Sequence, residues 1–157
     1  FAKLLKIKLV GKTDKQILES LESAGLSANL IDMGYQTHAE AIEQQRSASL
    51  LILPLRKEPE YKAVLPGKLF EYLASWRPVL GIGQPDGAMS MILNSTKTGV
   101  VLDWTDEASI SRFIELCWQN HLAGRLRVED ADISQFTREN LTRRMAALFD
   151  RVAEHKE

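Results

Sequence analysis

Leu65-Pro66-Gly67-Lys68-Leu69-Phe70-Glu71-Tyr72-Leu73-Ala74-Ser75-Trp76-Arg77-Pro78-Val79-Leu80-Gly81-Ile82-Gly83 reads as a turn, a short helix and a buried strand in succession. Pro66 and Gly67 suit a helix start, where unpaired backbone N–H groups and the helix dipole favour an anion such as a phosphate. Lys68 adds a full positive charge there, and Glu71 follows one turn later, within reach of hydroxyls on the same ligand. Arg77-Pro78 stops the helix. The apolar run at 79–83 is of the kind found in a parallel strand covered on both faces. Leu69, Phe70, Leu73 and Trp76 supply the buried side of the helix in this reading, which leaves Glu71 on another side.

Working outward, the same alternation of strand and helix continues to both ends. Lys6-Ile7-Lys8-Leu9-Val10 alternates and ends at Gly11. Thr13 and Gln16 predict a capping box for a helix whose stripe is Ile17, Leu18 and Leu21 and which ends near Gly25. A second strand is expected over 28–33. Thr37 and Glu40 form another capping box, for a helix reaching about Ala48. The third strand, 50–53, is uniformly apolar and is expected at the centre of a sheet. After the quoted stretch come a Pro85-Asp86-Gly87 loop, a helix to about Leu93 and a strand over 99–102. Thr105 opens the next helix, with Asp106 and Glu107 in its first turn, and it runs to about Leu122. The last helix is expected from about Ile133 to His155, within a C-terminal segment 132–157, with Phe136, Leu141, Met145, Leu148 and Val152 on one stripe. This order predicts an α/β fold, an open parallel Rossmann-like sheet with helices on both faces.

Ligands of such sheets bind at the carboxyl ends of the strands. Gly11-Lys12, Gly34-Tyr35-Gln36, Pro54-Leu55-Arg56 and Gly83-Gln84 all fall at expected strand ends. Any one of these glycines simply ends an element; together, beside Lys68 and Glu71, they mark an edge. The polar loop 56–65, with Arg56, Lys57 and Lys62 among Glu58 and Glu60, is long for a strand-to-helix link and is expected to be mobile.

Composition narrows the classes. Twenty Lys and Arg against 21 Asp and Glu leave a formal net charge of -1, so no overall basic field points to nucleic acid. The lone Cys117 supports no disulfide framework and fits a reducing cytoplasm. No apolar run approaches the roughly 20 residues that span a bilayer. Gly81-Ile82-Gly83 with Gly87 misses the dinucleotide fingerprint. His38, His121 and His155 stand apart from any Cys or carboxylate cluster, so no metal site is expected. There is no Gly-x-Ser-x-Gly elbow. Trp76, Trp104 and Trp118 read as core or interface anchors.

The central stretch, with Leu9-Val10-Gly11, Met33-Gly34-Tyr35 and Leu50-Leu51-Ile52-Leu53-Pro54, resembles the C-terminal donor-binding domain of retaining GT-B glycosyltransferases. In that class a Pro-x-Lys-x-x-Glu-Tyr-x-Ala motif followed by Arg-Pro-Val supplies the phosphate and ribose contacts, and the likeness covers essentially the whole chain. The resemblance implies a single nucleotide-sugar-binding domain, 1–157, cut from a two-domain enzyme, lacking the domain's first strand and helix and a preceding acceptor domain. It implies donor contacts from Gly11, Lys12, Tyr35, Gln36, Arg56, Gly67, Lys68 and Glu71, with Glu71 on the ribose. The implied partner is a nucleoside diphosphate sugar, with no cofactor or metal. The implied setting is bacterial surface-polysaccharide synthesis in the cytoplasm, at the inner face of the membrane through peripheral contact. The family's second Glu would fall at residue 63, where this chain has Ala63, and Glu60 is the nearest substitute. A sugar-nucleotide epimerase of the same architecture is the rival enzyme, and a non-catalytic α/β interaction domain the rival of another class. The missing central strand sets one more expectation: 6–10 and 50–53 either pair directly or borrow a strand from elsewhere.

Overall fold

The computed structural model describes residues 1–154, so His155 of the expected last helix lies outside the described residues. The chain divides into two compact units, Phe1–Ala48 and the part beginning at Ser49, and each is taken by itself.

The first unit runs β1 (Ile7–Leu9), α1 (Lys15–Ser23), β2 (Leu30–Asp32) and α2 (His38–Ser47). β1 and β2 pair in parallel, with Ile7 beside Leu30 and Leu9 beside Asp32. Asp14, not the expected Thr13, caps α1: its Oδ1 accepts the Gln16 N–H at 2.9 Å. A carboxylate also complements the positive helix end, which a hydroxyl does not. The helix ends in a Schellman turn, with Gly25 at φ +75° and Leu26 N–H donating to the Leu21 carbonyl at 3.0 Å. Only glycine enters that left-handed region without steric cost. The Thr37/Glu40 box forms as read: Glu40 Oε2 accepts the Thr37 N–H at 2.8 Å, and Thr37 Oγ1 accepts the Glu40 N–H at 3.3 Å.

The second unit runs β3 (Leu51–Pro54), α3 (Gly67–Ala74), β4 (Val79–Ile82), α4 (Ala88–Thr96), β5 (Gly99–Leu102), α5 (Glu107–Leu122) and α6 (Arg138–Glu154). Short 3₁₀ turns at Pro59–Ala63 and Ser134–Phe136 precede α3 and α6. The strands form one parallel sheet in the order β3-β4-β5. β4 is its centre, with Val79 and Leu80 0% and 1% exposed. A Cβ on Gly81 would lie 2.7 Å from Met89 Cε and 2.9 Å from Val101 Cγ2, so α4 and β5 close directly over this strand. Leu69 and Leu73 of α3, Met89 and Leu93 of α4 and Cys117 of α5 complete the core.

Two expectations need correction. The strands form two parallel sheets, not one, and among the described residues β1 pairs with β2 while β3 pairs with β4. β3 is therefore an edge strand of its sheet, not a central one, and Ile52 between the buried Leu51 and Leu53 is 53% exposed. Its composition reports how apolar its surroundings are, while position in a sheet depends on which strands pair, and that is not encoded in one strand.

Local boundaries also move. Asp106 caps α5 through its carboxylate and the Ser109 N–H at 3.0 Å, while Thr105, the expected opener, bonds Asp103 through its N–H and hydroxyl. α4 runs on to Thr96, past the expected Leu93, and α6 begins at Arg138 after the 3₁₀ turn. α3 stops at Ala74, and Trp76 takes φ +58°, an unfavourable conformation for a bulky residue. The surroundings hold it: Val128 N–H donates to the Trp76 carbonyl at 3.1 Å, and the Arg127 guanidinium lies over its ring at 5.4 Å.

Candidate functional site

Parallel pairing places the carboxyl ends of paired strands on one edge, so each unit has such an edge. In the first unit, Gly11 N–H donates to the Gly34 carbonyl at 2.8 Å, with the two glycines at φ +108° and +59°. That bond draws Lys12, Tyr35 and Gln36 to the same end of the β1-β2 pair. Lys12 is exposed and Tyr35 is 87% exposed. Gln36 is turned to a structural task, its Nε2 donating to the Met33 carbonyl at 2.8 Å.

In the second unit the ladder continues past the strands, with Leu55 N–H on the Ile82 carbonyl at 2.8 Å and Gly83 N–H on the Leu102 carbonyl at 2.9 Å. Trp104 Nε1 holds the Leu55 carbonyl at 3.0 Å. Arg56 leaves this edge, exposed, and its guanidinium sits 5.7 Å from the centre of the Tyr61 ring. α3 starts after Pro66 with no side-chain cap, and Gly67 and Lys68 at its start are exposed. Glu71, one turn in, is half-buried between the buried Leu69 and Leu73 in sequence. Phe70, expected on the buried side, is 38% exposed and meets Phe136 with ring centres 5.8 Å apart. Burial pushes the Tyr72 phenol above its ordinary value, and the charge of Glu71 adds to the shift.

The loop from Arg56 to Leu65, expected to be mobile from its polarity, is largely exposed and makes specific contacts with the 84–87 turn. Lys62 Nζ and Asp86 Oδ2 are 2.5 Å apart. Gln84 Nε2 donates to the Glu58 carbonyl at 3.3 Å. A Cβ on Gly87 would lie 2.9 Å from the Lys62 carbonyl oxygen, so glycine there permits the close approach. The hydrogen bond from Lys62 holds the Asp86 carboxyl below its ordinary value. Ala63 and the suggested substitute Glu60 both lie on the 3₁₀ turn of this loop and are exposed.

Sequence reasoning missed these supporting residues. Trp104, Gln84, Lys62 and Asp86 shape the strand-end loops, and the Pro85-Asp86-Gly87 turn was the available signal. A cleft of about 490 Å³ lies elsewhere, at the amino ends of β4 and β5, lined by Lys97, Val100, Phe113, Cys117, Arg125 and Arg127 among others. It contains none of the sequence-predicted residues. Burial pushes its Cys117 thiol up to about 11, which leaves it protonated and a poor nucleophile at neutral pH. Among the described residues no group of three or more His, Cys, Asp and Glu side chains is placed to hold a metal ion. No described helix is long and apolar enough to cross a membrane. No protein-family model matches this sequence, and no curated protein matches it significantly.

Proposed function

We propose that this chain is the donor-binding part of a retaining GT-B glycosyltransferase, taking a nucleoside diphosphate sugar at the carboxyl ends of its strands. The observation that carries this reading is α3. Its uncapped start, with Gly67 and Lys68 exposed, offers N–H groups and a cation to a diphosphate. Glu71 follows within 8 helical residues that Leu69 and Leu73 anchor in the core. A carboxylate on a rigid helix, one turn from a phosphate subsite, is suitably spaced for ribose hydroxyls. Arg56 would add charge beside that subsite. Gly11, Lys12, Tyr35 and Gln36 remain donor candidates on the edge of their own sheet.

Parallel strands alternating with helices are the architecture that this reading requires. The complete enzyme would then pair this part with an acceptor domain. It would transfer a sugar in surface-polysaccharide synthesis, on the cytoplasmic side of a membrane that it touches peripherally. Catalysis would rest on stabilising the departing diphosphate with helix N–H groups and cations, without a cofactor.

Titrating nucleoside diphosphates and their deoxyribose analogues into wild type and Glu71→Gln tests the site. The variant should lose about 1.5–3 kcal/mol with the ribose ligands and little with the deoxy forms. Equal losses with both would sink the ribose assignment. Binding of neither by the full enzyme would leave the non-catalytic interaction domain as the better reading.

A further inference from the structure

The cleft at the amino ends of β4 and β5 lies at the opposite end of its sheet from Arg56 and the start of α3. One wall is a strap of residues 125–132, which follows α5 and passes the ends of α3 and α4. Backbone bonds fix it along its length. Arg125 N–H donates to the Asn120 carbonyl at 2.8 Å, Val128 N–H to the Trp76 carbonyl at 3.1 Å and Asp132 N–H to the Thr96 carbonyl at 3.1 Å. The cleft, about 490 Å³ in volume, is therefore preformed, and it has the size of a small-molecule site. Val100, Phe113 and Leu116 give it an apolar side.

Three cations line the same cleft. Arg125 and Arg127 both contribute to it while Leu126 between them does not, so the strap turns these two side chains the same way. The Arg125 guanidinium donates to Asn120 Oδ1 at 3.2 Å, and that of Arg127 lies over the Trp76 ring. Neither contact neutralises a charge, and both reduce the side-chain freedom that binding would cost. Lys97 is the third cation, at the carboxyl end of α4 with φ +55°. Glycine suits such a left-handed cap best, so a lysine there costs stability. Its charge is what the position gains. Among the described residues none of the three forms an ion pair. Glu129 and Asp130 line the cleft as well, so positive charge exceeds negative by three to two, and a ligand cation would meet more repulsion than attraction.

We propose that this cleft is a second binding site, for a small organic anion whose carboxylate or phosphate is held by Lys97, Arg125 and Arg127 and whose apolar body lies on Phe113 and Leu116. Arginine forks match both kinds of anion. The site is independent of the donor reading, since it shares no residue with the candidates for that edge.

Backbone amide NMR of the 157-residue chain, titrated with phenyl phosphate and with benzoate, reads the site directly. At least one of the two should give saturable shifts at Lys97, Val100, Arg125 and Arg127, roughly tenfold tighter than phenol or inorganic phosphate; the tighter of the two names the anion. Lys97→Gly should weaken this binding roughly tenfold and yet raise the melting temperature, because glycine relieves the left-handed cap. That pair of effects separates a ligand contact from a structural role. Glu129→Gln should tighten binding by about twofold. Neither organic anion shifting these amides up to its solubility limit overturns the proposal. So do inorganic phosphate binding as tightly as both organic anions, a Lys97→Gly variant with unchanged affinity, or weaker binding after Glu129→Gln. Shifts confined to the start of α3 would overturn it too, and would leave anion binding to the donor edge alone.

Discussion

The two units use the same alternation of strand and helix and differ in what they bury. In the first, none of the 48 residues is buried: Ile17 is 51% exposed, Ile31 38% and Leu4 67%. In the second, Leu69, Val79 and Leu93 are 0% exposed. Both have well-made helix caps, and the first unit has the more complete set, with an Asp cap, a Schellman turn and a full capping box. The lesson is that local signals and core formation are separable. Caps stop fraying and contribute about 1 kcal/mol each, whereas a fold persists through apolar area withdrawn from water. Two strands and two helices enclose little volume, and a unit this small buries a low fraction of its surface. In the second unit a third strand flanks β4 on its other side, and Met89 of α4 packs against β4 while Leu69 and Leu73 of α3 are buried in the core.

The largest effect should come from attacking the core where it exists. Leu69→Ala is expected to destabilise the second unit by about 2–5 kcal/mol, read by urea unfolding. Leu21→Ala, at a half-exposed position of α1, should cost well under half of that. Comparable losses would show that the first unit has a core in solution that its exposures do not reveal, and would break the comparison.

Thr37→Ala sharpens it. The variant loses the hydroxyl that accepts the Glu40 N–H and donates to the Glu40 carboxylate, keeps the backbone N–H that the carboxylate accepts, and should cost about 1 kcal/mol. In a unit without a buried core that loss should appear as faster amide exchange through α2, with the exchange of β3, β4 and β5 unchanged. If the β4 amides accelerate with those of α2, the units unfold as one body.

The smallest effect concerns the tether between Lys62 and Asp86. Its hydrogen bond depresses the folded-state pKa of Asp86 below the ordinary carboxylate value of 3.8. The contribution is therefore present above the unfolded value and is lost as pH falls through the folded one. Limited proteolysis in the 56–65 loop should rise in that acid range, and Asp86→Asn should show the higher rate already at neutral pH. A variant whose loop is cut no faster than wild type would mean that Gln84 and the close approach at Gly87 hold the loop without the ion pair.

Much of the fold was legible because short-range physics wrote it. Thr37 with Glu40, Gly25 after an apolar stripe, and the apolar run before Gly83 each act within a few residues, and the structure has the expected element at each place. The misplaced caps at Asp14 and Asp106 lie one residue from the expected ones, where a carboxylate neighbour outcompetes a threonine hydroxyl. The candidate residues were legible as strand-end and helix-start positions. The loop contacts of Lys62, Gln84 and Trp104 were not, since each partner lies 24 to 49 residues away.

The sequence by itself determined the order of elements, the parallel direction that their alternation demands, and the helix start at Gly67 with Lys68 and Glu71 behind it. Tertiary structure alone decided that the strands divide as β1-β2 and β3-β4-β5, that the apolar β3 stands at an edge, and that the stripe of α6 faces outward. Hydrogen bonds between strands and the burial of side chains depend on segments distant in the chain meeting in space. No property of a single segment states which partner it will have.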